Sequence, residues 1–204
     1  GFAYTRFEGW SHLALVSTTQ SWFRAAEVIA FFDKMIDDDF FDDFEDILFF
    51  GGGNGTAYAA AAYAVAAPGA SVVALRPQAT LDAGITAWDT RFRHVREQTF
   101  SQRYGYAPDM IEGADHVFVA YDPFNCADAS HANLFRKPHV ALLACPLIGD
   151  DLETAFERMG ILDVTLRLAM DRSLDSARFA QLLRARRYDQ TYVRNLVDHL
   201  IDSD

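Results

Sequence analysis

Few side chains in this sequence are placed to do chemistry together. Asp128 and His131 lie three positions apart in CADASHANLF, residues 126–135. A helix carries such a pair on one face. An acid–base dyad is one reading of it and a structural hydrogen bond is the other. Asp122, which ends the apolar run HVFVAYD (116–122), is a third candidate acid. The turn GGGNGT, Gly51 to Thr56, joins an apolar run to an alanine-rich one and marks a sharp change of direction. Asp122, Asp128 and Asp150 are acids at segment ends, where two of them suit helix caps better than ligation of a hard cation. No metal and no resident cofactor is expected. Four arginines, Arg91, Arg93, Arg96 and Arg103, gather in TRFRHVREQTFSQRYGYAPD (90–109) of an otherwise acidic chain.

The elements that must position these residues alternate. Short apolar runs at 12–17, 46–50, 71–75, 116–122 and 139–145 read as buried strands. Helical spacing falls at 21–36, 55–67, 85–100, 126–135 and 150–161, and the chain from Asp163 onward is mostly helical. Pro68-Gly69 closes the alanine-rich helix. Strands followed by helices predict an α/β fold, a mainly parallel sheet with helices on both faces, followed by a C-terminal helical segment. One domain over 1–204 is expected, with the sheet core at 10–162 and helices at 163–204. Chemistry in such sheets sits at the C-terminal ends of the strands.

The glycine turn admits three readings. A dinucleotide fingerprint fits Gly51 and Gly53 but meets Thr56 where a third glycine belongs. Arg76 ends the next strand, which suits a 2′-phosphate better than a ribose hydroxyl. The turn also resembles, at Gly52, Gly53 and Thr56, the PP-loop of ATP pyrophosphatases and phosphoadenosine phosphosulfate reductases. The Ser and Asp of that loop are replaced by Gly51 and Gly55. The third reading is a nucleophile elbow, Gly-x-Nu-x-Gly between a strand and a helix. Gly51-Gly52-Gly53-Asn54-Gly55 fits that frame, with Gly53 in the nucleophile position.

The elbow frame, together with SVVALRPQATLD (71–82), resembles the α/β-hydrolase superfamily. The similar members are hydrolase-like domains that carry Tyr-Gly-Ser-Ser-Met-Gly-Gly-Tyr-Ala-Ala, several of them beside glycosyltransferase modules. The likeness spans roughly residues 10 to 162. It implies an acid near Asp122 or Asp128, a histidine after the next strand, and a lid over 90–109 whose arginines face an anionic or polar ligand. It also makes the Asn54 N–H an oxyanion donor. At the nucleophile stands Gly53, and where Gly-His belongs stands Gly149-Asp150. The resemblance therefore implies a degenerate triad and a non-catalytic binding, scaffolding or regulatory relative. The alternatives are an atypical Asp/His ester or thioester hydrolase or transferase, and nucleotide-linked chemistry at the turn.

Composition narrows the partners. Net charge is −11, and acid is dense in KMIDDDFFDDFEDI, residues 34–47, which argues against nucleic acid and anionic membranes. A small molecule or a protein is the expected partner. The basic run LLRARRY (182–188) reads first as a solvated helix face and second as a docking surface for an acidic partner. The longest apolar run, around 57–67, is too short to span a bilayer. Cys126 and Cys145 form neither a disulfide framework nor a zinc motif, as expected of a cytoplasmic protein with reduced thiols. The sequence starts at Gly1 without Met, so an incomplete N-terminus is expected.

Overall fold

The computed structural model describes residues 2–96 and 98–202. Helices α1 (Phe2–Phe7) and α2 (Ala26–Asp37) lead into strand β1 (Leu48–Gly51). Next come α3 (Asn54–Ala62), β2 (Ser71–Leu75), and two short helices, α4 (Ala83–Thr86) and α5 (Ala107–Met110). Strand β3 (His116–Tyr121), α6 (Cys126–Leu134) and β4 (Val140–Ala144) follow. The chain then runs through α7 (Leu152–Arg158), α8 (Leu162–Met170), α9 (Ser176–Leu182) and α10 (Gln190–Ile201). The fold is α/β, with a four-stranded sheet in the order β1-β2-β3-β4. Every pairing is parallel, with Leu48 opposite Ser71, Val72 opposite Val117 and Val119 opposite Leu142.

Side chains alternate across the sheet, so each strand feeds two cores. Val72, Ala74, Val117 and Val119 point to one face, where α3 and α6 bring Ala57, Ala61 and Ala132, and Phe135 follows at the end of α6. Val73, Leu75, Phe118 and Leu143 point to the other, under Phe156 of α7, Leu166 of α8 and Phe179 of α9. Successive neighbouring strands with right-handed crossovers place all the connecting helices on one face. Among the described residues the other face is covered chiefly by the helices after β4, with Tyr4 of α1 packed against the same cluster.

Two expected elements are absent. Residues 12–17 carry no regular structure, and the sheet has four strands rather than five. Leu13 is 53% and Val16 85% exposed, while Leu15 alone of this run packs on the core. An apolar run becomes a strand only where a neighbour takes up its backbone groups, and no strand pairs with it. The helix expected at 85–100 is broken into α4 and a single 3-10 turn at Arg93–Val95. There the Asp89 carboxylate binds the Arg91 N–H at 2.9 Å. Arg96 reaches the carbonyls of Thr86 and Asp89. Side chain–backbone bonds of this kind compete with helix formation. No helix among the described residues is long and apolar enough to cross a membrane. Both cysteines are unpaired, Cys126 exposed and Cys145 buried, and burial pushes the Cys145 thiol well above its usual range.

Candidate functional site

The glycine turn sits at the C-terminal end of β1, and its glycines have different reasons. A Cβ on Gly51 would lie 2.2 Å from the Thr56 carbonyl oxygen, which is backbone and cannot yield. The strand end and the first turn of α3 approach that closely only without a side chain. At Gly52 a Cβ would meet the Glu153 carboxylate at 1.6 Å, the tip of a side chain able to move. Gly53 is open, with nothing within 4 Å of a built Cβ. Its φ of −176° is extended backbone. The position with left-handed φ is Asn54, at +28°, one residue after the expected nucleophile position. Gly55 packs on the ring of Trp22. The Thr56 hydroxyl donates to the Gly53 carbonyl at 2.7 Å and accepts the Gly53 N–H at 3.0 Å, so it caps α3.

Arg76 stands at the exit of β2 in left-handed backbone, φ +57°, and is 6% exposed. Its Nε donates to Asp128 Oδ2 at 2.6 Å. Arg91 Nη1 donates to the other oxygen, Asp128 Oδ1, also at 2.6 Å. Arg91 Nη2 binds Asp89 Oδ2 at 2.8 Å. Asp89 Oδ2 also meets His131 Nε2 at 3.0 Å. On the far side of the ring, His131 Nδ1 accepts the Ala79 N–H at 3.1 Å. That bond fixes the tautomer, so the Nε2–H donates to Asp89. Asp89 and Asp128 are 2% exposed and His131 is fully buried.

The five groups form one buried ion network linking β2, the 79–96 segment and α6. Burial pushes the Asp89 carboxyl up, but the bonds from Arg91 and His131 outweigh it and hold it at about 2. Burial lowers the His131 pKa against the opposing pull of Asp89, which favours the neutral ring.

The candidates are thus together, but paired otherwise than their spacing implies. Asp128 and His131 do share the inner face of α6. The carboxylate on His131 is Asp89, however, and Asp128 is taken by two arginines. Asp122 is apart from them. Its oxygens accept the N–H of Phe124 at 2.9 Å and of Leu147 at 3.0 Å, tying the exits of β3 and β4. Asp150 turns its carbonyl to Arg76 and sets Oδ1 3.1 Å from that guanidinium, with a side chain 94% exposed. Among the described residues no three His, Cys, Asp or Glu side chains group as a metal site.

Three of the four lid arginines bind the protein itself. Arg91 and Arg96 do so as above, and Arg103 pairs with Asp33 at 2.6 Å. Arg93 is exposed. Little of the lid's positive charge is therefore left to face a ligand. A cleft of about 370 Å³ opens at the opposite edge of the sheet, near Trp10, Phe44, Asp46 and Arg172, away from every candidate residue.

Asp89, Gln78 and Glu153 were not foreseen. A local signal existed for Asp89, because Asp followed two residues later by Arg favours a side chain–backbone turn. Nothing local announced Glu153, and Gln78 stood out only as part of the strand exit at 76–78, where such sheets place their chemistry. Gln78 is 1% exposed, and its Nε2 donates to the Arg76 carbonyl at 3.2 Å and approaches Asn54 Oδ1 at 3.5 Å. Burial raises the Glu153 pKa, and the neighbouring Glu157 and Asp151 add to it. No protein-family model, curated protein or solved structure matches the chain.

Proposed function

We propose that this chain is an α/β-hydrolase-like protein whose triad has degenerated, and that it works as a non-catalytic binding, scaffolding or regulatory relative. One observation carries the reading. Every candidate acid, base or nucleophile at the C-terminal edge is already committed to a partner within the fold. Gly53 has no side chain, and the Thr56 hydroxyl is held by the Gly53 backbone. Both nitrogens of His131 are used in a fully buried ring. A general base must reach the proton it takes, and this one faces no open space. The Glu153 carboxylate against Gly52 also opposes a phosphate at the turn, which weakens the nucleotide reading.

Turnover of p-nitrophenyl esters and acyl thioesters by the purified chain tests this. The expected result is hydrolysis no faster than buffer, and Gly53→Ser alone is expected to stay silent for want of a free base. Turnover by the wild type that disappears in a folded His131→Gln variant would overturn the reading in favour of an atypical Asp/His enzyme.

A further inference from the structure

Helix α10 turns a mixed side to the protein and its apolar side outward. Val193, Val197, Leu200 and Ile201 recur at the spacing i, i+4, i+7 and i+8, which lines one face of a helix. They are 45%, 49%, 57% and 68% exposed. No residue of the helix is fully buried. What holds it down lies on another face. Tyr192 packs against the core that Phe156 and Phe179 occupy. Asn195 Nδ2 donates to the Leu147 carbonyl at 2.9 Å. The ring of His199 lies 4.5 Å from that of Phe124.

Single exposed apolar residues are ordinary on a protein surface. Four aligned along twelve residues of helix make a contiguous patch, which marks an interaction site. Two charged neighbours indicate what covers it. Arg194 and Asp198 are both exposed and stand one turn apart with opposite charge. At about 100° per residue both flank the apolar stripe on the same side, next to Ile201. Among the described residues no ion pair engages either of them. Arg before Asp is also the weaker order for a pair within one helix.

A two-fold axis beside Val197, perpendicular to the helix, lays a second α10 antiparallel on the first. The Val197 side chains meet at the axis, and Val193 of each copy meets Leu200 and Ile201 of the other. The reversal of direction also sets Arg194 of each copy against Asp198 of the other, so two ion pairs close together. That is the self-complementarity an isologous interface requires. A membrane surface offers no such reciprocity and would leave Asp198 against anionic headgroups. We infer that the outer face of α10 is a homodimer interface, in which two copies of this chain pair their α10 helices antiparallel. The helix is only about 18 Å long, so the interface lies at the small end of the size range. Dimerisation is therefore concentration-dependent.

The test is sedimentation equilibrium of the full chain from about 1 μM to 1 mM protein. Salt at about 0.15 M screens the repulsion between two acidic chains. The expected result is a mass that rises from one chain to two. Val197→Glu alters an exposed position and keeps the fold, with an unchanged melting temperature as the check. It sets like charges together at the axis and is expected to weaken dimerisation by about tenfold or more. Arg194→Asp sets carboxylate against carboxylate twice and is expected to weaken it by about threefold or more. Adding Asp198→Arg to that variant exchanges the signs of both pairs and is expected to restore wild-type dimerisation. A general loss of helix stability would not be restored in this way.

A chain that stays monomeric throughout would overturn the inference. So would dimerisation unchanged in Val197→Glu, or a double exchange as weak as the single one. Binding of the monomeric chain to phosphatidylserine and phosphatidylcholine vesicles, lost in Val197→Glu, would assign the same face to a membrane and overturn it too.

Discussion

At the scale of single residues, His131 is a proton-linked strut. It joins the Ala79 N–H to the Asp89 carboxylate, and burial keeps its pKa below the ordinary value. The sign of the pH effect follows. The unfolded chain takes up a proton as pH falls through about 6.5, while the folded ring resists it. Stability conferred by the neutral ring is therefore complete above that pH and declines below it. Asp89, held at about 2, adds stability that is present above its unfolded value and disappears only in stronger acid.

His131→Gln keeps one acceptor and one donor. Melting temperature measured between about pH 8 and 5 is expected to fall in the wild type and to flatten in this variant. A matching slope in both would exclude His131 as the linked group. His131→Ala is expected to cost about 3 kcal/mol, because Asp89 and the Ala79 N–H lose a buried partner.

At the scale of elements, the junction of β1 and α3 separates glycines that look alike in sequence. Gly51→Ala forces a methyl into the Thr56 backbone and is expected to cost on the order of 3 kcal/mol or more. Gly53→Ala enters open space at extended φ and is expected to change stability by less than about 1 kcal/mol. Urea denaturation of the two variants checks this, and equal losses would contradict it.

The same junction shows what the sequence made legible. Continuous apolar runs marked all four strands, because a buried parallel strand has no polar face to interrupt it. The run at 12–17 has the same composition and became irregular, since pairing is supplied by a neighbour and not by the run itself. The glycine frame was visible, but its strained position was not, because φ at Asn54 depends on how α3 docks. The Asp128–His131 proximity was readable from helical spacing. Their partners were not. Asp89 is 42 positions from His131, and Arg76 is 52 from Asp128. Only the crossover geometry brings them together.

At the scale of the whole molecule, the sheet closes its two faces at different times. Each of β2 to β4 pairs with the strand made just before it, and the helices between them complete one face as synthesis proceeds. The opposite face, apart from Tyr4 of α1, waits for α7, α8 and α9, which all follow β4. A chain emerging from the ribosome therefore carries a half-finished sheet, with Val73, Leu75, Phe118 and Leu143 bare until residues 152–182 arrive. Such transient apolar surface is what chaperones bind and what aggregation exploits. Ribosome-stalled chains in which β4 has emerged but α7 has not are expected to recruit chaperone, and to release it once α9 is out. Equal chaperone occupancy at both lengths would show that the late helices are not what shelters the sheet.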